Sequence, residues 1–187
     1  YKTSKVGFSL GTAFEQYENL TLIPEINTEY EKLKTTSTAS SVLKKQEGSY
    51  FDAYLNYTVN YDLRNSKYRP NEGFMNSFYQ ELPISSSNYE IVNAITSVKY
   101  KKFSNIVTKI SFLGKSVNTL SSEDVRISKR LYIPSRVLRG FESGKVGPID
   151  KKDYVGGNYL SAVNFNATLP NFLTTFQNTD ISFFIDA

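Results

Sequence analysis

The stretch RLYIPSRVLRGFESGKVGPIDKKDYVGG, Arg130 to Gly157, sets an Arg139-Gly140-Phe141 triplet inside a glycine-rich, charged interruption of a chain that otherwise alternates apolar and polar residues. Arginine carries a planar, permanently charged fork of donors that can hold a carboxylate through two parallel hydrogen bonds. Gly140 lets the backbone turn tightly or pass close to a wall, and Phe141 supplies an apolar anchor beside the charge. The chemistry on offer is ion pairing. The chain has no His and no Cys, which removes Ser-His-Asp and Cys-His nucleophilic catalysis and zinc sites of the Cys/His kind. No catalytic residue, cofactor site or metal site is expected, and the protein is not expected to be an enzyme.

A triplet of this kind needs a rigid wall to bind, and the rest of the chain supplies one. Period-two patterning runs from end to end. In YFDAYLNYTVNYDLR, Phe51, Ala53, Leu55, Tyr57, Val59, Tyr61 and Leu63 form one face, while Asp52, Tyr54, Asn56, Thr58, Asn60 and Asp62 form the other. A helix would mix these sets; a strand separates them. The same reading gives strands at about 2–15, 20–34, 50–63, 74–84, 89–102, 106–118, 156–170 and 178–187, with FMNSFYQELPI the weakest. On the fifth, Val92, Ala94, Val98 and Tyr100 oppose Asn93, Ser97, Lys99 and Lys101. On the last two, Val163, Phe165, Ile181 and Phe183 oppose Asn164, Asn166, Ser182 and Asp186. Asp186 and Asn166 are thus inward-facing candidates to receive Arg139. EQYEN, RNSKYRPNEG, FSN and NFLTTFQN form short to medium connections. A long loop at about 119–155 holds the triplet, and structureless loops of such length are usually functional or disordered.

Alternation does not say which face is outside. A soluble sandwich or lipocalin-like barrel stays open beside a membrane barrel, whose strands leave only a weak hydropathy signal. Strand length favours the membrane span, because the usual strand is about five or six residues. So does charge in blocks, acidic on the second strand and basic on the fifth and sixth. The apolar faces, with Phe51, Leu55, Val59, Val163, Phe165, Ile181 and Phe183, are then expected to point outward. A net charge of +4 is as much a solubility feature as a partner signal, and no nucleic acid partner is expected. The chain opens on Tyr1 and closes on ISFFIDA within an alternation, which reads as a fragment of a longer protein.

Three elements in order carry a family resemblance. SKRLYIPSRVLRGFESGKVGPIDKKDYVGGNYLSAVNFNATLP resembles the lid-loop pattern of BamA-type outer-membrane assembly factors, the bacterial surface antigen family. That pattern has an Arg-Gly-Phe tip (Arg139, Gly140, Phe141), a Gly-Pro (Gly147, Pro148) and a Gly-Gly opening the next strand (Gly156, Gly157). YDLRNSKYRPNEG resembles the family's periplasmic turn, with Asp62, Arg64, Pro70 and Gly73; a charged structural turn is the reading kept for it. SFFIDA is similar to a strand ending in Phe-x-Asp, here Phe184 to Asp186.

The resemblance implies an all-β antiparallel meander forming about eight of about sixteen transmembrane barrel strands. It would be part of one C-terminal barrel domain, with the POTRA domains outside this chain. It implies a non-enzymatic factor that assembles and inserts barrel proteins in the outer membrane of a Gram-negative bacterium. Partners would be outer-membrane lipid, client barrel proteins and accessory assembly lipoproteins. It implies Asp186 as the acidic partner of Arg139; at Asn166, where relatives carry Glu, an acceptor is kept and a charge lost. The rival readings are a two-partner secretion pore of the same superfamily and a passive porin or surface antigen.

Overall fold

A computed structural model describes residues 1–170 and 179–187. The connection NFLTTFQN and the first residue of the expected last strand lie outside the described residues. The elements are β1 (Lys2–Gly11), β2 (Phe14–Tyr17), β3 (Leu20–Lys34), α1 (Ser41–Lys45), β4 (Gly48–Asp62), β5 (Gly73–Ser85), β6 (Glu90–Phe103), β7 (Ile106–Thr119), β8 (Ile149–Asp150), β9 (Asp153–Tyr154), β10 (Tyr159–Leu169) and β11 (Ile181–Asp186). The main sheet runs β1-β3-β4-β5-β6-β7-β10-β11 with β2 also on β3, and β8 and β9 form a separate hairpin. Every pairing is antiparallel and links neighbours in sequence, except β1 with β3, which skips β2, and β7 with β10, which skips the β8–β9 hairpin. This is the expected all-β meander, and the sheet is not closed. Among the described residues no helix is long and apolar enough to cross a membrane.

Four local differences from the sequence reading have physical causes. The first expected strand is nicked into β1 and β2, yet the register of β1 carries into the start of β2, with Gly11 opposite Glu25 and Phe14 opposite Leu22, and shifts only before Tyr17. The nick faces Pro24, which has no N–H to give to the ladder. The strand expected from 156 begins at Tyr159, because Gly157 instead exchanges two backbone hydrogen bonds with Leu131 (2.8 and 2.9 Å). The connection between β3 and β4 holds the short helix α1, whose Ser40 cap accepts from the Leu43 N–H. The long loop folds β8 and β9 out of its own length.

Because paired residues share a face, register assigns every side chain to the inner face, which residues 120–158 cover, or to the outer one. Val6 lies beside Tyr30 and Phe51, and Leu10 beside Ile26, Leu55 and Leu82. The outer face exposes Val6, Phe8, Leu10, Phe51, Leu55, Val163, Phe165 and Phe183. Such a continuous apolar surface is a liability in water and an ordinary wall in lipid. On β6 the sequence assignment is reversed. Val92 sits between Glu81 and Val117 on the inner face, whereas Asn93 sits between Gln80 and Ser116 on the outer one. The inner face is not uniformly wet: beneath the long loop it is buried, with apolar Val117 beside the acids Glu31, Asp52 and Glu90. The outer amides bond one another instead, from Tyr57 to Gln80 (2.6 Å), Gln80 to Asn93 (2.6 Å) and Asn93 to Ser116 (3.3 Å).

The absence of cysteine makes the face assignment directly measurable. Single cysteines at Val163 or Phe165 and at Ser111 would carry a fluorophore in the full-length protein folded into liposomes. Brominated lipid is expected to quench the label at Val163 or Phe165 and to spare the one at Ser111. Equal quenching at the two faces would overturn the assignment.

Candidate functional site

The loop between β7 and β10 crosses the inner face and is held at two places. Its base is the segment Val125–Lys129. The Arg126 guanidinium donates to Glu31 of β3 (3.2 Å), Asp52 of β4 (2.7 Å) and Glu90 of β6 (3.4 Å), and lies 4.2 Å from the Tyr50 ring centroid. All four charged side chains are wholly buried. Ser128 donates to Glu31 (2.7 Å), and Lys129 reaches Glu81 of β5 (3.3 Å) across the Tyr54 ring. Burial pulls the Arg126 pKa down, but the carboxylates of Glu90 and Asp52 pull it further up, so the guanidinium is held above its ordinary value. Three carboxylates surround one guanidinium, and Lys5 approaches Glu31 at 3.7 Å from the rim. One oxygen each of Glu31 and Asp52, and the Arg126 Nε, have no hydrogen-bond partner among the described residues.

Next to the base, an apolar knot forms from Leu33, Ala39, Leu43 and Ile127, with Tyr50 and Val155 packed on it. The Ile127 N–H donates to Gln46 Oε1 at 2.7 Å. The helix α1 therefore braces the loop's base. Beyond the knot, the Leu131–Gly157 bridge brings the loop's two limbs together. Gly156, in the left-handed region at φ 67°, has no room for a Cβ, which would lie 2.9 Å from the Leu131 carbonyl oxygen and from the Tyr132 ring. Gly147, at φ 126°, and Pro148 lead into β8, and Val155 N–H donates to the Pro148 carbonyl at 3.0 Å.

The tip is the second hold. Arg139 Nε donates to Asp186 Oδ2 (2.7 Å) and Nη2 to Oδ1 (2.5 Å), the bidentate geometry that suits a guanidinium. Its Nη1 donates to Asn166 Oδ1 (3.0 Å), and its backbone N–H donates to Asp186 Oδ2 (3.0 Å). Asn164 adds a donor to Asp186 (2.8 Å) and ties the Val137 carbonyl (2.6 Å). The Arg139 guanidinium stacks 3.6 Å from the Phe184 ring centroid. Hydrogen bonding to Asp186 holds its pKa above the usual value. The side chain of Asp186 is 3% exposed and that of Arg139 33%. Phe141 is not an anchor on this wall. Gly140, at φ 88°, turns the chain between the two residues, and Phe141 is left 56% exposed. The aromatic beside the charge is Phe184.

Of Asp62, Arg64, Pro70 and Gly73, only Pro70 comes near a hold, lining an inner-face cavity together with Arg139 and Asn166 of the tip. Arg64 forms its own bidentate pair with Asp62 (2.8 and 2.7 Å). Gly73 has φ 96°, and a Cβ there would stand 2.1 Å from the Leu63 carbonyl oxygen. Gly73→Ala is therefore expected to destabilise the full-length protein by about 1–2 kcal/mol, read as a lower midpoint in urea unfolding; an unchanged midpoint would contradict the strain.

The sequence reading assigned no role to Arg126, Glu31, Asp52 or Glu90, and marked Phe184 only as the start of the Phe-x-Asp strand ending. Among the described residues no group of acids, His or Cys could hold a metal ion. The arrangement fastens a loop to a wall.

The model of the Omp85 superfamily domain matches residues 1–187. Among solved structures, BamA from Haemophilus ducreyi lacking POTRA domains 1–3 is similar at a TM-score of 0.87 and 18% identity. The likeness covers 100% of this chain and 41% of that one, so the chain spans less than half the length of that structure. No curated protein matches in sequence.

Proposed function

The chain belongs to the Omp85 superfamily, and from that premise we propose that it is part of the barrel of an outer-membrane protein insertion factor, with residues 119–155 as the lid of the lumen. The observation that carries this reading is the fork of Arg139 on Asp186 and Asn166, which fixes the tip of a long loop to the inner face of the adjacent strands β10 and β11. The role is mechanical. With tip and base both fastened, β3 to β11 and the lid move as one body, so strand separation that admits a client must occur elsewhere in the barrel. The apolar outer face meets lipid of a Gram-negative outer membrane, and clients are unfolded barrel proteins, received with accessory lipoproteins. The chain corresponds to about eight strands of a barrel of about sixteen, and Asp62, Arg64, Pro70 and Gly73 shape a periplasmic turn.

The test uses the full-length protein in liposomes, with folding of an added client barrel and ion conductance measured on the same preparation. Faster client folding is expected. Conductance with no effect on client folding would reject insertion and leave a pore.

A further inference from the structure

A cavity of about 480 Å³ lies on the inner face between the lid tip and the turn ends of β7 and β10. Among the described residues four cations line it, Arg69, Lys109, Arg136 and Arg139, with one carboxylate, Asp180. Arg139 is neutralised by Asp186 and Arg69 is paired with Asp180 at 3.4 Å. Lys109 and Arg136 have no carboxylate partner among the described residues, and Lys109 has only the Tyr100 ring, 6.0 Å away. Ser111 and Asn166 add uncharged hydrogen-bonding groups beside them. A cleft whose lining is mostly of one sign of charge focuses its field and concentrates counter-ions, and two cations on opposing elements with no carboxylate partner among the described residues call for more than one acidic group.

We propose that this cavity binds an extended, carboxylate-rich segment of polypeptide. Lipid phosphate is not the ligand that fits, because lipid bathes the outer face and this cavity opens on the inner one. The hydroxyl and amide groups along β7 and β10 suit a peptide backbone lying beside its own acidic side chains. The placement rests on the reading of Asp62–Gly73 as a periplasmic turn: the cavity adjoins Arg69 and Pro70 of that turn, so a chain arriving from the periplasm meets it before the lid. It goes beyond the insertion reading by assigning a charge preference to what enters.

The test is fluorescence anisotropy of a labelled short Glu-rich peptide with the full-length protein in detergent. A Lys-rich peptide of equal length and inorganic phosphate serve as comparisons. The Glu-rich peptide is expected to bind and to weaken as salt rises. The double variant Lys109→Gln/Arg136→Gln is expected to lose on the order of tenfold in affinity, while Lys109→Arg/Arg136→Lys retains it. Equal binding of the Lys-rich peptide, or unchanged binding by the Gln variant, would overturn the proposal. Equal loss in the charge-keeping variant would trace the effect to folding and overturn it too. Displacement by phosphate at matched charge concentration would reduce the cavity to a small-anion site. None of these outcomes depends on client insertion, so the assay can fail while insertion stands, and the reverse.

Discussion

Replacing Arg126 by leucine is expected to destabilise the protein by about 3–5 kcal/mol and to release the base of the lid. The magnitude follows from what is left behind. Glu31, Asp52 and Glu90 are wholly buried around the guanidinium, and its removal strands three carboxylates with no compensating charge but Lys5 at the rim. The opposite substitution is informative because the cluster already holds more acid than base. Glu90→Gln keeps a hydrogen-bonding group near Arg126 at its longest contact, 3.4 Å, and removes one negative charge from an excess. It is expected to cost far less than Arg126→Leu, or nothing. Arg126→Lys should fall between the two, since an ammonium cannot reach three strands as a planar fork does. Urea unfolding of the full-length protein in liposomes measures all three. If Glu90→Gln costs as much as Arg126→Leu, each contact matters as a hydrogen bond and the charge argument fails.

That cluster also shows what the sequence could and could not reveal. Faces were readable wherever one side of a strand was apolar throughout: Phe51 to Tyr61 on β4, and Val163, Phe165, Ile181 and Phe183 at the other edge. The inference failed on β6, where the long loop covers part of the inner face, Val117 is buried there, and Val92 no longer marks the outside. Arg126 was illegible for a related reason. It stands in a stretch with no periodicity, and its partners sit on three strands far off in sequence. The available signal was indirect: Glu31 and Asp52 occupy inward positions at neighbouring strand ends, and buried acids require a cation from somewhere. Phe184 was marked by the Phe-x-Asp resemblance, but alternation counted it with the polar face and gave no reason for an aromatic beneath Arg139. The five-residue α1 is too short for a helical period to declare itself. The tip was readable because an arginine fork, a glycine and an inward acid are each chemically distinctive.

At that tip, the Arg139→Ala and Asp186→Ala variants are each expected to cost about 2 kcal/mol, below the figure for a fully buried pair, because Arg139 is one-third exposed and charge-assisted hydrogen bonds contribute about 1.5–3 kcal/mol. Asp186 is not orphaned by loss of the guanidinium, since the Arg139 backbone N–H and Asn164 still donate to it. Removing both side chains should therefore cost clearly less than the sum of the single losses, the mark of residues acting as one unit. A charge swap tests the same pair from the other side. Arg139→Asp with Asp186→Arg restores opposite charges, but the backbone N–H and the Asn164 amide then face a guanidinium that cannot accept from them. Only partial recovery is expected, better than either single reversal and short of the native pair. Lid mobility can be read from a spin label at a single cysteine replacing Glu142, and assembly competence from client folding by the same preparations. Each single reversal should mobilise the label and slow the client, and the swap should partly reverse both. If the swap recovers nothing, or if the two alanine effects simply add, Arg139 and Asp186 are not the lock, and the lid is held by its base alone.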